Sequence, residues 1–189
     1  MSFSFASEVI TSEEISSRVS ELGKAIAEDY PNSNPLLLTV MNGAMMFAAD
    51  LVRAMDIEAE VDFLALNRFG EGGRIRIAMD AMTPLTDRPV IVVEDIVDTG
   101  LTLTVLRKML SDRGPASLAT VALFDKTKRR LVDVPIEYRG FEVGDEYLVG
   151  YGLDWQGLYR NLPSIWAVLD MEAFVDDRAV LARSLAGPR

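Results

Sequence analysis

Acidic and hydroxyl side chains cluster in one short segment near the middle of the chain. Residues 92–102 read Val-Val-Glu-Asp-Ile-Val-Asp-Thr-Gly-Leu-Thr. The three carboxylates of this segment repel one another unless a metal ion or the hydroxyls of a ligand compensate. The segment then turns into a predicted helix, whose first amides and dipole suit a phosphate, and Thr99 and Thr102 add hydroxyl donors. Because carboxylates accept hydrogen bonds from a diol, the pattern favours a phosphorylated sugar such as a ribose 5-phosphate.

The composition excludes several other kinds of site. The 189-residue chain contains no Cys and no His. Thiolate metal sites, Cys nucleophiles, Ser-His-Asp triads and His general bases are therefore ruled out, and acid–base chemistry must use Asp, Glu, Lys or Tyr. The formal net charge of −10 disfavours a general nucleic-acid-binding protein. With neither a signal peptide nor a membrane-spanning run in the sequence, we expect a cytoplasmic protein without a membrane partner.

The acidic segment also has simpler interpretations. It could be a capped helix after a strand, with Asp98 or Thr99 as the N-cap and Glu94 and Asp95 solvated. A haloacid-dehalogenase-like phosphatase requires D-x-D-x-T, whereas two residues separate Asp95 from Asp98. The segment is neither a Walker A loop nor a dinucleotide-binding loop. Only the sugar-phosphate interpretation uses all of its residues together.

Alternating strands and helices must position this segment. The apolar run Val90–Val93 predicts a central parallel strand that Glu94 and Asp95 follow, and residues 102–110 predict the next helix. Residues 11–14 fit a capping box at the start of the first helix. Further strands are predicted at 36–41, 61–66, 118–124, 147–151 and 165–169, with an arm at 61–80 as an insertion, and further helices at 15–30, 47–55 and 172–185. This order predicts one α/β domain over residues 1–189, with a mainly parallel sheet flanked by helices.

The ends of the other predicted strands supply further candidate residues. In open α/β sheets, ligands bind at the carboxyl ends of the strands. Asn42-Gly43, Lys126 and residues 147–154 each follow or overlap a predicted strand end. Each has an ordinary structural interpretation as well: Lys126 as a solvated lysine, Tyr147 as a core aromatic residue, and Asp154 as a turn residue.

Taken together, these segments resemble the type I phosphoribosyltransferases, and in particular their 6-oxopurine branch, the hypoxanthine-guanine phosphoribosyltransferases. Residues 92–102 resemble the phosphoribosyl-pyrophosphate signature of that branch. Residues 40–43 with 47–51 resemble its pyrophosphate loop and helix, and residues 147–154 with 159–162 resemble its purine and pyrophosphate segments. The likeness runs in the same order from about residue 10 to about residue 170.

The resemblance implies transfer of the phosphoribosyl group of phosphoribosyl pyrophosphate to a purine, with Mg²⁺ as cofactor. It implies proton transfer by Asp98; phosphoribosyl-pyrophosphate binding by Asn42, Gly43, Glu94, Asp95, Asp98, Thr99, Gly100, Leu101, Thr102 and Arg160; purine binding by Lys126, Tyr147 and Leu148; and Mg²⁺ ligation by Glu94, Asp95 and Asp154. It also implies a small hood, a mobile lid loop, and a homodimer or homotetramer.

Two positions depart from the family pattern. Asn42 stands where the pyrophosphate loop usually carries a Lys, and Arg68-Phe69 stand where the lid usually begins with Ser-Tyr. Two related functions stay open as alternatives. One is a xanthine-preferring transferase, because the backbone near Leu148 would read position 2 of the base. The other is a non-catalytic, nucleotide-sensing regulator on the same fold, against which the acidic net charge argues.

Overall fold

The computed structural model describes residues 6–69 and 74–176. Its strands are β1 (Ala6–Ile10), β2 (Leu36–Met41), β3 (Glu60–Phe69), β4 (Arg74–Met79), β5 (Pro89–Val97), β6 (Ser117–Asp125), β7 (Tyr138–Glu142), β8 (Tyr147–Val149) and β9 (Ile165–Val168). Its helices are α1 (Ser12–Asp29), α2 (Met45–Ala54), α3 (Leu101–Ser111) and α4 (Met171–Asp176), with a short 3₁₀ turn at Thr127–Arg129.

Six strands form the main sheet, in the order β4-β3-β2-β5-β6-β7. All neighbouring pairs are parallel except β3 and β4, so the mainly parallel sheet is confirmed. The predicted inserted arm needs a correction, because β3 pairs in parallel with β2 and only β4 is antiparallel. The apolar faces of α1 and α2 pack on one side of this sheet and that of α3 packs on the other.

Strand β5 lies at the centre of the sheet and is buried on both faces. Ile91 and Val93 belong to the core under α1 and α2, whereas Val90 and Val92 belong to the core under α3. This two-sided burial is the physical reason for the continuous apolar run in the sequence.

Strand β5 continues further than the sequence predicts. Glu94 and Asp95 lie within it instead of after it, because pairing with β6 continues as far as Val97. Since side chains alternate along a strand, Glu94 points toward the α3 side and Asp95 toward the α1–α2 side. The two acids therefore face opposite sides of the sheet.

The predicted hood is a second, antiparallel sheet with the order β1-β9-β8. The strands predicted at 147–151 and 165–169 are shorter in the structure and belong to this sheet. The sequence did not predict β1, or β7 at the edge of the main sheet. Ala6, Val149, Val168 and Phe174 form the core of the hood.

Two predicted segments lie partly or wholly outside the described residues. The predicted lid starts with Arg68-Phe69, whose backbone ends β3, and continues into residues 70–73, which are not described. The helix predicted at 172–185 is described only as α4, up to residue 176. Within the described part of the chain, no helix combines the length and the apolar character that crossing a membrane requires.

Candidate active site

The loop between β5 and α3 depends on glycine at its last position. Gly100 is the N-cap of α3, with φ of 82°. A Cβ atom there would lie 2.9 Å from Arg130 Nη1 and 3.0 Å from the Val132 carbonyl oxygen. Both the left-handed backbone and the close approach therefore require glycine. The N-cap residue is therefore Gly100 and not Asp98 or Thr99, although the Leu101 amide donates to Thr99 Oγ1 over 3.4 Å.

The N-terminus of α3 differs from that of α1. A capping box closes α1, as predicted: the Thr11 amide donates to Glu14 Oε2 over 2.8 Å, and the Glu14 amide donates to Thr11 Oγ1 over 3.2 Å. The N-cap side chain does not close α3 in this way, and the first turn of α3 holds no acidic residue. The first amides of α3 are therefore suited to an anionic group.

A cavity of about 260 Å³ opens at this helix end. We call it the loop cavity; it is lined by Glu94, Ile96, Val97, Asp98, Thr99, Gly100, Thr102 and Leu103. Leu101, which begins α3, is partly exposed beside it. The structure thus brings the predicted phosphate-binding segment and Glu94 to one cavity.

A second cavity, of about 470 Å³, adjoins the loop cavity. We call it the base cavity; it is lined by Asp95, Ile96, Asp98, Lys126, Arg129, Asp145, Tyr147, Leu148, Leu153 and Asp154. Asp98 and Ile96 line both cavities. Asp98 therefore lies at the junction between the helix end and the residues predicted to bind a purine.

Asp98 is paired with an arginine that the sequence did not single out. Arg129 Nε donates to Asp98 Oδ1 over 2.7 Å, and both side chains are nearly half exposed. Arg129 ends the 3₁₀ turn after β6, three residues beyond Lys126. Residues i and i+3 lie on the same side of a 3₁₀ turn. The Lys126-x-x-Arg129 spacing was therefore the sequence signal that could have placed Arg129 at the same cavity as Lys126.

Lys126 is buried beside the base cavity, with 8% of its surface exposed, so the interpretation as a solvated lysine is wrong. Its Nζ atom donates to the Glu146 carbonyl oxygen over 2.7 Å. Burial lowers the pKa of Lys126, and the nearby Asp98 carboxylate opposes this effect. The ammonium is therefore held in a fixed place next to the cavity.

Tyr147 and Leu148 begin strand β8. The Tyr147 ring is 37% exposed and lines the base cavity, so it is not a core residue. Its edge contacts Trp155, with ring centroids 5.2 Å apart, and its hydroxyl donates to the Asp154 carbonyl oxygen over 2.7 Å. Leu148 is 7% exposed and also lines the base cavity.

Three segments from distant parts of the chain meet at Asp95. A Cβ atom on Gly43 would lie 1.5 Å from Asp95 Oδ2, and a Cβ atom on Gly152 would lie 2.0 Å from the Gly43 carbonyl oxygen. The carboxylate, the backbone of Gly43 and the backbone of Gly152 are therefore in direct contact, which requires glycine at both positions. The peptide bond between Met41 and Asn42, just before Gly43, is cis.

The two acids of β5 differ in exposure: Glu94 is 7% exposed, whereas Asp95 is half-buried at the wall of the base cavity. Burial, and then the charge of Asp95, raise the pKa of Glu94 well above its usual value. Burial raises the pKa of Asp95 to about 6, although the Ile96 amide donates to its Oδ1 over 2.8 Å. Since both shifts disfavour the carboxylate form, a cation or a ligand diol would be a favourable partner here.

Arg160 and Asp154 form an ion pair next to this contact. Arg160 Nη2 lies 2.8 Å from Asp154 Oδ1, and Nη1 donates to the Gly152 carbonyl oxygen over 2.5 Å. Asp154 Oδ2 also accepts from the Gly157 amide over 2.6 Å, so Asp154 organises a turn as well as lining the base cavity.

The acidic residues that the structure describes do not form a preformed metal centre. Within residues 6–69 and 74–176, no group of three acidic side chains is arranged to enclose a metal. Asp95 and Asp154 line the base cavity, whereas Glu94 lines the loop cavity on the other face of β5. Mg²⁺ commonly binds through one or two carboxylates and completes its shell with water and substrate phosphates.

Comparison with known proteins assigns this geometry to a family. The model of the phosphoribosyl transferase domain matches residues 6–156. The chain belongs to the phosphoribosyltransferase family. It is 39% identical over 161 residues to a hypoxanthine-guanine phosphoribosyltransferase of Streptococcus thermophilus, covering 83% of this chain and 89% of the relative. It is 41% identical over 167 residues to a hypoxanthine phosphoribosyltransferase of Escherichia coli, and the match covers 85% of this chain and 94% of that relative.

A solved structure agrees with these relatives. The crystal structure of a hypoxanthine-guanine phosphoribosyltransferase from Bacillus anthracis superimposes with a TM-score of 0.84 at 36% sequence identity. The match covers 86% of this chain and 98% of the other. The resemblance to this branch of the phosphoribosyltransferases is therefore confirmed.

Proposed function

We propose that this enzyme transfers the phosphoribosyl group of phosphoribosyl pyrophosphate to N9 of hypoxanthine or guanine, in purine salvage. The bond between C1′ and the pyrophosphate oxygen breaks, the bond between C1′ and N9 forms, and the base loses one proton. The products are IMP or GMP and pyrophosphate. The observation that carries the proposal is the position of Asp98. This residue lines both the loop cavity, at the N-terminus of α3, and the base cavity, which Lys126 and Tyr147 also line.

The 5-phosphate of the substrate binds at the N-terminus of α3. Thr99, Gly100, Leu101 and Thr102 supply backbone amides and two hydroxyl groups, and the helix dipole favours the negative charge. Gly100 allows the backbone to approach the phosphate closely. The absence of an acidic residue in the first turn of α3 supports this role.

The ribose and the pyrophosphate bind along the end of β5. Glu94, from the loop cavity, and Asp95, from the adjoining base cavity, accept hydrogen bonds from the ribose hydroxyls of a substrate that spans both cavities. Asn42, Gly43 and Arg160 contact the pyrophosphate. Glu94, Asp95 and Asp154 would hold Mg²⁺, which when bound would supply positive charge to the departing pyrophosphate. The raised pKa values of Glu94 and Asp95 support this role, because a cation or a diol stabilises the carboxylate form.

The base binds in the base cavity. Lys126 donates to the 6-oxo group, Tyr147 stacks on the ring, and the Leu148 backbone contacts position 2. Asp98 lies near N7 and accepts the proton that the base loses, which fits a chain without His. Because an ammonium group can only donate, this arrangement favours a 6-oxopurine over adenine.

A product assay with a panel of bases tests this function. The protein is incubated with phosphoribosyl pyrophosphate, Mg²⁺ and one of hypoxanthine, guanine, xanthine, adenine or uracil, and the nucleotide and pyrophosphate are quantified. We expect turnover of hypoxanthine and guanine. Turnover of xanthine above both would favour a xanthine-preferring transferase, and no turnover of any base would contradict the proposal.

The proposal extends to the assembly and the location of the enzyme. By its resemblance to the family, it acts as a homodimer or homotetramer on small molecules in the cytoplasm, without a nucleic-acid partner. Light scattering over a range of protein concentrations tests the assembly. A monomer at every concentration would contradict it.

A further inference from the structure

Tyr151 has none of the roles proposed above, although it lies next to the pyrophosphate side of the site. It follows strand β8 and is 9% exposed. Its hydroxyl donates to Asp50 Oδ2 over 2.5 Å. Asp50 belongs to α2, the helix that starts directly after the Asn42-Gly43 loop. This hydrogen bond therefore joins the turn at residues 150–154 to the helix behind that loop.

The neighbours of Tyr151 are the residues that need accurate placement. Gly152, the next residue, packs against the Gly43 carbonyl oxygen, and its amide donates to the Arg160 carbonyl oxygen over 2.9 Å. Asp154, at the end of the same turn, is paired with Arg160. A shift of this turn would therefore move several contacts of the site at once.

We infer that Tyr151 is a positioning residue, whose hydrogen bond to Asp50 keeps the 150–154 turn seated on the Asn42-Gly43 loop. This inference rests on the proposed function, in which the Asn42-Gly43 loop contacts the pyrophosphate, as does Arg160, the partner of Asp154. A small displacement of a binding group can cost a large factor in activity even when the fold persists. Asp50 is partly exposed and also pairs with Arg53, so loss of the tyrosine hydroxyl does not leave a buried, unpaired carboxylate.

The hydroxyl remains a donor throughout the pH range of an assay. Burial, and then the hydrogen bond to Asp50, raise the pKa of Tyr151 far above its usual value. Changes in the kinetics of a Tyr151 variant therefore report geometry and not titration of this group.

The first test compares Tyr151→Phe with Tyr138→Phe. Tyr138 makes the same type of bond, from its hydroxyl to Asp29 Oδ2 over 2.7 Å, but between β7 and α1. We expect Tyr151→Phe to raise the KM for phosphoribosyl pyrophosphate and the Kd for Mg²⁺-pyrophosphate about tenfold, with the KM for hypoxanthine nearly unchanged. Tyr138→Phe should change none of these values. An unchanged KM in Tyr151→Phe, or an equal rise in Tyr138→Phe, would overturn the inference.

Variants of Asp50 provide the second test. Asp50→Asn keeps an acceptor for the hydroxyl and should raise the KM for phosphoribosyl pyrophosphate less than Asp50→Ala does. Combining Asp50→Ala with Tyr151→Phe should cost little more than either change alone, because both remove the same bond. Arg53→Met, which removes only the exposed partner of Asp50, should leave the KM unchanged. Fully additive effects would contradict a shared hydrogen bond.

Hydrogen exchange separates this inference from the proposed function. The Ala44 and Met45 amides donate to the carbonyl oxygens of Val40 and Asn42 and form the start of α2. In Tyr151→Phe these amides should exchange faster than in the wild type, whereas in Tyr138→Phe they should not. A wild-type protein without transferase activity would refute the proposed function but leave this measurement valid. Unchanged exchange in Tyr151→Phe would refute the positioning role.

Discussion

Asp98 is the residue on which the chemistry of the proposed reaction depends. Asp98→Asn should lower turnover by roughly 10²–10⁴-fold, the usual contribution of a general acid or base, because the amide cannot accept the proton. Affinity for phosphoribosyl pyrophosphate should change little. Single-turnover measurements, which isolate the chemical step, check this prediction.

The Arg129–Asp98 ion pair offers the matched control. Arg129→Met removes the pair but keeps the carboxylate, so its loss of turnover should be much smaller than that of Asp98→Asn. Near wild-type single-turnover rates in Asp98→Asn would contradict the role of Asp98 in proton transfer.

Lys126 should determine which bases are used. A site built to hydrogen-bond a substrate group rejects an analogue without that group by up to roughly 10⁴–10⁵-fold, so adenine should be a very poor substrate. Lys126→Met should reduce kcat/KM for both hypoxanthine and guanine. Because Lys126 also donates to the Glu146 carbonyl oxygen, the melting temperature and the binding of phosphoribosyl pyrophosphate must be measured alongside. Unaltered hypoxanthine kinetics in this variant would exclude the proposed contact.

Asp95 should make the metal-free enzyme less stable at neutral pH. Its pKa is about 6 in the folded protein, against an ordinary value of 3.8. Between these values the folded state binds more protons than the unfolded state, so the free energy of unfolding falls as the pH rises toward 6. Asp95→Asn, measured with a chelator present, should therefore be more stable than wild type above pH 6, by about 1–3 kcal/mol.

Denaturant unfolding at several pH values checks this prediction. The stability difference between wild type and Asp95→Asn should shrink as the pH is lowered from 6 toward 4. A wild-type protein that gains stability relative to the variant as the pH rises through this range would contradict the raised pKa of Asp95.

At the scale of elements, the site depends on close packing between loops that follow different strands. Gly152→Ala places a Cβ atom 2.0 Å from the Gly43 carbonyl oxygen, so one of the two loops must move. We expect kcat/KM for phosphoribosyl pyrophosphate to fall by about 10²-fold. Steady-state kinetics on the purified variant measure this loss.

Gly114→Ala is the control for backbone strain. Gly114 also has a positive φ, of 67°, but an added Cβ would meet no atom within 4 Å. This variant should lose about 1 kcal/mol of stability and keep its kinetics. Equal kinetic losses in both variants would show that strain, and not the contact between the loops, explains the effect of Gly152→Ala.

At the scale of the whole molecule, ligands should stabilise the fold only in combination. The described residues contain no preformed cluster of three acidic ligands, so Mg²⁺ alone should hardly change the melting temperature. Phosphoribosyl pyrophosphate with Mg²⁺ at about 100 times its Kd adds roughly 2.7 kcal/mol. In a chain of this length that corresponds to an increase of about 5–10 °C. A large shift with Mg²⁺ alone would indicate a dedicated metal centre.

The sequence by itself determined those features that depend on neighbouring residues. The absence of His and Cys restricted the acid–base chemistry to a few residue types. The capping box of α1 was predictable because Thr11 and Glu14, which bond to each other, are only three residues apart. The strand β5 was predictable because a strand buried on both faces has a continuous apolar run. The loop at residues 98–102, which we propose binds a phosphate, stood out in the sequence for the same reason, since all of its groups lie in one continuous segment.

Only the tertiary structure decided how the distant parts of the site meet. Glu94 and Asp95 face opposite cavities because pairing with β6 prolongs β5 through both residues. The bond from Tyr151 to Asp50 joins residues 101 positions apart. Such contacts follow from the order of strands in the sheet and from the packing of the hood on the main sheet. The propensity of a short segment contains no information about either.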